Sequence, residues 1–299
     1  MVFLVGPTGA GKSAVAMTVA QAVGAEIVNA DAFQLYRGLE ILSAAPSPDD
    51  RARVRHHLYG VLPPDEPCDA ARYAAMAKRC LEELGGRGVP ALVVGGSGLY
   101  VKALTHGLAD LPADARVRQK LASRPLAEKV ADLQRLDPQG AASMNLGNTR
   151  YVDRALEICL LTGRPASEAR SAWAQADPEG LAGVLLTWDR EALHARINRR
   201  VEAMVDAGVM AEVAAVRGSS RPAGPTACKA IGFREIGEVL DGRCAVGEAV
   251  AAIQQATRRY AKRQMTWFRR ESWLKTVCLS ASETPDSAAA AVLRHFSHD

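Results

Sequence analysis

The sequence contains no pair of cysteines at metal-binding spacing. Its six (Cys68, Cys80, Cys159, Cys228, Cys244 and Cys278) are scattered along 299 residues with no C-x-x-C among them. That argues against a disulfide framework and favours buried apolar thiols in a reducing compartment. His56-His57 has no partner cysteine pair at zinc-finger spacing, so no structural zinc site is expected. No run of about 20 apolar residues is present to span a membrane. No basic segment precedes the short apolar run at Val2, so the expected address is the cytoplasm, without membrane contact. Excess charge is scarce too. Lys and Arg total 37 against 33 Asp and Glu, and a net charge of +4 is too small to mark a nucleic-acid binder by composition alone. There is no internal repeat. The remaining balance, 48% hydrophobic and 23% charged, suits a packed core, as one large domain or a core domain with a smaller insertion.

The opening reads as strand, glycine-rich loop, helix, strand. Val2 to Val5 is short and apolar enough for a buried parallel strand. Ser13 to Val23 has helical spacing and stops at Gly24. Glu26 to Ala30 makes a second strand and puts Asp31 at its C-terminal end, the edge where open α/β sheets bind ligands. Tyr36 to Pro67 is expected to be loop with short elements. Ala70 to Leu84 is a helix and Ala91 to Val94 a third strand leading into GGSGLY. From Pro112 to Gly180 the pattern is helix, turn, helix without a strand. Val184 to Thr187 returns to strand character. Helices follow over Arg190 to Asp206, Val209 to Val216, Lys229 to Leu240 and Val246 to about Arg270. The tail after Ser280 is expected to be loosely ordered, with a terminal helix over Ala288 to Phe296 as the alternative. The fold class is therefore α/β: a P-loop parallel-sheet core with helices on both faces and a helical insertion domain. The expected boundaries are 1–111 and 183–299 for the core and 112–182 for the insertion.

The strongest chemical signal is Gly6-Pro7-Thr8-Gly9-Ala10-Gly11-Lys12-Ser13, a complete G-x-x-x-x-G-K-[ST]. Glycines at these places let backbone N–H groups face one concavity, and the helix that follows adds the positive end of its dipole. Lys12 can neutralise phosphate oxygens, and the Ser13 hydroxyl can ligate Mg²⁺. The reaction is not specified by the loop. A nucleotide hydrolase should offer an apolar strand ending in an acid, whereas Ala91–Val94 ends in Gly95-Gly96-Ser97-Gly98, and no N-K-x-D guanine-reading motif occurs. Asp31 is the acid best placed at a strand end near the loop. It reads either as a turn cap or as a carboxylate able to take a proton from a nucleophile beside the phosphates.

The last long helix carries QQATRRYAKRQMTWFRR from Gln254. Arg258, Lys262 and Arg269 recur at helical spacing, and Arg259, Arg263 and Arg270 repeat it one residue on, with Tyr260, Trp267 and Phe268 among them. Such a run is ordinarily a solvated face. Beside a phosphate loop, contact with nucleic acid or pyrophosphate becomes the better reading.

Taken together these motifs resemble the tRNA dimethylallyltransferases, also called tRNA isopentenyltransferases, over nearly the whole chain from Val2 to Arg270. GPTGAGKS is similar to the family's phosphate loop and NADAFQLYRGLEI to its N-x-D-S-x-Q-x-Y-x-x-x-x-I segment. HHLYGVLPPDEPCDAARY, GGSGLY, LADLPADARVR, RYVDRALEI, INRRVEAMVDAGVMAEV, KAIGFREI and TRRYAKRQMTWFR resemble the remaining blocks in order. The chain departs from the family pattern at Ala32 (usually Ser), Ser97 (Thr), Ala45 (Lys) and Tyr151 (often Arg). The resemblance implies transfer of the dimethylallyl group of dimethylallyl diphosphate to the exocyclic amine of an adenine next to the anticodon of tRNA, by a monomer with Mg²⁺ at Ser13. It further implies that Thr8, Lys12 and Arg118 serve the leaving pyrophosphate and that Asp31 is the base. The turn Asp31, Ala32, Phe33 and Gln34, with Ser97, would contact the flipped base, and Arg150, Arg154, Arg258 and Lys262 the rest of the tRNA. Two rival readings remain: a small-molecule kinase or adenylate isopentenyltransferase using the same loop, and a non-catalytic RNA-binding module.

Overall fold

Val2–Val5 forms strand β1, apolar throughout because both faces of it are covered. Phe3 and Val5 enter one hydrophobic core and Leu4 the other. The same alternation recurs in β2 (Glu26–Asn29), with Val28 facing one core and Ile27 the other, and in β4 (Ala91–Gly95), with Val93 opposed to Leu92 and Val94. Strands β3 (His56–His57), β5 (Ala182–Trp188) and β6 (Leu274–Leu279) complete a six-stranded parallel sheet of order β3-β2-β4-β1-β5-β6. The computed structural model from which this is read describes residues 1–108, 111–169, 180–280 and 283–296.

The described residues fall into two units, Met1–Thr105 with Glu179–Asp299, and His106–Pro178. The first unit contains the sheet with helices α1 (Lys12–Val23), α2 (Glu40–Ser43), α3 (Pro48–Arg53), α4 (Ala70–Gly86) and α5 (Gly98–Thr105). The second has no strand among its described residues; it contains α6 (Ala115–Ala122), α7 (Leu126–Leu136), α8 (Pro138–Ser143) and α9 (Thr149–Thr162). The first unit resumes with β5 and continues with α10 (Arg190–Asp206), α11 (Val209–Arg217), α12 (Phe233–Leu240), α13 (Val246–Phe268), β6 and α14 (Pro285–Phe296). The division lies at 106 and 178 rather than at 112 and 182. Ala182 already opens a core strand, which draws the residues before it into the sheet unit.

Topology places the ligand-binding edge. The chain leaves β1 toward one sheet edge, to β2, and leaves β4 toward the other, to β5. Right-handed crossovers running in opposite directions lie on opposite faces, so α1 packs into the core containing Leu4, and α4, α10 and α13 contribute to the core containing Phe3. Between the C-terminal ends of the adjacent strands β1 and β4 the connections diverge and open a crevice, the switch point of a doubly wound sheet.

Leu274–Leu279, for which the residue pattern carries no assignment, is β6: an edge strand whose exposed Lys275, Thr276 and Cys278 hide the apolar pattern of a buried one. The helix expected from Lys229 begins at Phe233. Gly232, at φ 102°, caps it, and Ala227–Lys229 is a separate 3₁₀ turn. The tail is ordered over Pro285–Phe296, where Ala288, Ala289 and Val292 pack into the core beside α1. No described helix is long and apolar enough to cross a membrane.

Candidate active site

The crevice holds a cavity of about 360 Å³ whose walls come from the loop after β1, the end of β4, the turn after β2 and helix α10. The phosphate loop needs its glycines. Gly9 and Gly11 sit at φ 83° and 84°, a left-handed backbone that side chains oppose, and Gly11 is the cap residue from which α1 starts. Thr8, Gly9, Gly11, Lys12 and Ser13 all face the cavity. Lys12 Nζ donates one hydrogen bond back to the Pro7 carbonyl at 2.9 Å, which fixes its stem and leaves two N–H donors for a ligand.

Four cations line this space, Lys12, Arg196, Arg199 and Arg200, against one carboxylate, Asp31. Arg196 is held from both sides: its guanidinium lies 4.3 Å from the Trp188 ring, and its Nε donates to the Gly9 carbonyl at 2.9 Å. Trp188 is itself anchored by a 2.9 Å hydrogen bond from Nε1 to the Ala10 carbonyl. Arg200 donates from Nη1 to Thr8 Oγ1 at 2.6 Å and from Nη2 to the Ser43 carbonyl at 3.3 Å. Since an arginine N–H occupies a lone pair of Thr8 Oγ1, the hydroxyl proton is available to a ligand oxygen. Burial pushes the Lys12 pKa down to about 8; Asp31 opposes that shift and Arg200 adds to it. Arg200 is lowered for the same first reason, burial, with Asp31 again opposing. Desolvated, crowded cations of this kind are relieved by an anion, so the cradle is preorganised for a di- or triphosphate.

Asp31 follows β2 on a turn that is fastened from below. Asn29 is fully buried. Its Oδ1 accepts from the Asp31 N–H at 2.7 Å, while Nδ2 donates to the carbonyls of Asp31 at 3.0 Å and Leu58 at 2.9 Å. Asp31 Oδ1 in turn accepts the Phe33 N–H at 3.0 Å. This carboxylate therefore caps its own turn and also lines the phosphate cavity. Ser97 Oγ accepts the Ala32 N–H at 3.0 Å. Gln34 lines the cavity and donates from Nε2 to the carbonyls of Ser43 (3.1 Å) and Ala44 (2.8 Å).

The remaining expected residues are on other elements. Arg118, Arg150 and Arg154 belong to the helical unit. Within it Arg118 Nε and Arg154 Nη1 converge on the buried Glu157 at 2.8 and 2.6 Å, and Arg150 is exposed. On α13, Lys262 is exposed with Arg259 and Arg263, whereas Arg258 is half-buried and donates to Asn198 Oδ1 at 2.6 Å. Arg258 thus stands in the packing between α10 and α13, and the expectation that it shares a solvent-facing row with Lys262 is corrected. Phe268 is buried too. Arg196, Arg199 and Arg200 were missed as site residues, although their i, i+3, i+4 spacing on one helix is the same cationic pattern read from α13.

A parallel sheet with a phosphate loop at its switch point, facing four cations and one carboxylate, defines a P-loop protein. The IPP transferase family model matches residues 34–271 and the isopentenyl transferase model residues 1–59. The chain belongs to the IPP transferase family. It is 42% identical to the tRNA dimethylallyltransferase of Akkermansia muciniphila over 297 residues, covering 99% of both chains. Among solved structures it is similar to the tRNA isopentenylpyrophosphate transferase of Bacillus halodurans, with TM-score 0.71 and 31% identity over 98% of this chain and 94% of that one. A eukaryotic dimethylallyltransferase acting on tRNA shares the fold, with TM-score 0.83 and 23% identity over all of this chain and 78% of that one.

Proposed function

We propose that this chain transfers the dimethylallyl group of dimethylallyl diphosphate to the exocyclic amine of the adenine 3′-adjacent to the anticodon in tRNA, releasing pyrophosphate. The carrying observation is the cradle of Lys12, Arg196, Arg199 and Arg200 opposite Asp31 at the switch point. The allylic C–O bond breaks, and the charge that develops on the diphosphate meets these cations and the Thr8 hydroxyl, donors already in place before the step. The adenine amine attacks the allylic carbon; as the N–C bond forms, its proton passes to Asp31. Gln34, with its Nε2 committed to two carbonyls, presents Oε1 as an acceptor for the base edge.

Mg²⁺ fits this donor set. Among the described residues no group of three or more His, Cys, Asp or Glu forms a protein cage, and Mg²⁺ is commonly held by one or two protein oxygens with substrate phosphates and water. The Ser13 hydroxyl would hold the ion, which would supply charge neutralisation to the diphosphate. A tRNA substrate supports a cytoplasmic site of action. The test is incubation of the purified protein with labelled dimethylallyl diphosphate and either undermodified tRNA or AMP. Label is expected in tRNA alone; labelled AMP without labelled tRNA would refute the assignment.

A further inference from the structure

Gln264 is a polar side chain only 4% exposed in the last third of α13. Leaving a buried polar group unpaired costs roughly 1–3 kcal/mol, and this amide is paired at both ends. Oε1 accepts the Thr8 N–H at 2.8 Å, and Nε2 donates to the Gly96 carbonyl at 2.9 Å. Tyr260, one turn earlier, lies beside Gln264 and Ser97. One side chain thereby ties the loop after β1 to the loop after β4, the two walls of the crevice. Gly96 is shaped by this contact, since a Cβ there would come within 2.2 Å of Gln264 Nε2.

Phosphate loops ordinarily aim their backbone N–H groups at the anion. The Thr8 N–H is instead taken by Gln264. With its backbone turned toward α13, Thr8 lines the cavity and offers Oγ1 to Arg200 Nη1 at 2.6 Å, which leaves the hydroxyl proton available to a ligand oxygen. We propose that Gln264 is a positioning residue for the transfer reaction: it holds the Thr8 amide and the Gly96 carbonyl so that the Thr8 hydroxyl meets the oxygen on which the leaving diphosphate develops charge. This inference rests on the dimethylallyl-transfer reading above.

Such a role separates turnover from phosphate binding. In Gln264→Leu the freed Thr8 N–H can join the other loop amides on the anion while the hydroxyl loses its aim. The expected result is a kcat about 10²-fold lower, the scale of a displacement of about 1 Å at a reacting group, with inorganic pyrophosphate affinity, measured calorimetrically, within about threefold of wild type. Gln264→Glu supplies a chemical rescue. Its protonated carboxyl can accept from Thr8 and donate to Gly96, but its ionised form turns a lone pair on the Gly96 carbonyl. Its activity relative to wild type therefore rises as pH falls, a dependence that a loss of packing does not produce. Gly96→Ala, slow in the wild-type background, adds little in a Gln264→Ala background, where the nearest neighbour left to the new methyl is the Gly6 carbonyl at 3.2 Å. Lys12→Ala is the control for the underlying reading and is expected to lose both turnover and pyrophosphate binding. If Lys12→Ala behaves so while Gln264→Leu keeps wild-type kcat, or loses pyrophosphate affinity in step with kcat and Gln264→Glu shows no pH rescue, the positioning role is overturned. If Lys12→Ala retains both properties, the phosphate-loop reading itself is wrong.

Discussion

Replacing Asp31 by Asn removes one charge from the cavity and little else. Asp31 Oδ1 accepts the Phe33 N–H, and the turn is held from beneath by Asn29; an asparagine keeps an acceptor oxygen in that place, so the turn persists. Two losses follow. The adenine amine has no carboxylate to receive its proton, and removal of a general base typically slows the chemical step about 10²–10⁴-fold. Lys12 also loses support. Burial lowers its pKa to about 8 against the opposing effect of Asp31, so it is mostly protonated at pH 7 in the wild type, and in Asp31→Asn the pKa falls further. Profiles of kcat/KM report the free enzyme. The wild type should therefore lose kcat/KM for dimethylallyl diphosphate above about pH 8, and the variant should lose it at lower pH. Under saturating donor the bound phosphates hold Lys12 charged, and this alkaline limb disappears from kcat. Single-turnover transfer to undermodified tRNA across a pH series, with melting temperature and tRNA affinity alongside, reads all of these. An Asp31→Asn protein that melts early yet transfers at near wild-type rate, with an unmoved alkaline limb, would reduce Asp31 to a turn cap and leave the base to be found elsewhere.

Charge reversal at Arg259 and Lys262, both exposed on α13, should weaken tRNA binding with the melting temperature unchanged. It should also reduce the slope of log K against log salt by about 1 for each tRNA phosphate that the protein ceases to neutralise; normal binding across the salt series returns that face to solvent. Arg258→Glu is the uninformative variant, because it breaks the 2.6 Å bond to Asn198 between α10 and α13. In the helical unit, Glu157 accepts hydrogen bonds from Arg118, Arg154 and the Asp114 N–H. Burial raises its pKa, but those three donors outweigh burial and leave it below the usual value. A depressed carboxylate stabilises the fold above its unfolded pKa and loses that contribution as pH falls through the folded one. Glu157→Gln should cost roughly 2–3 kcal/mol at pH 7, discounted for the exposure of Arg118, and the deficit should shrink in acid. An equal melting temperature at pH 7 would refute the network's contribution.

Local chemistry wrote the first half of this molecule legibly. A buried parallel strand must be apolar on both faces, so VFLV and ALVV stand out as short apolar runs, with Ile27-Val28 marking β2 between Glu26 and Asn29, and the spacing of glycines, lysine and serine in GPTGAGKS announces a loop that cradles phosphate. Asp31 was legible because β2 ends beside it. By contrast β6 was not, since an edge strand with one face in solvent has too mixed a pattern to separate from its surroundings. Arg196 and Arg200 are about 190 residues from the loop atoms they bind, and Gln264 is 256 residues from Thr8. No periodicity encodes such distances. The sequence by itself determined the phosphate loop, the carboxylate at the sheet edge, the parallel-sheet class and the family likeness. Tertiary structure alone decided which cations of α10 turn inward, that Arg258 serves packing while Lys262 faces solvent, and that one glutamine joins the two walls of the cavity. Those choices depend on which helix face meets the sheet, and only long-range packing sets that.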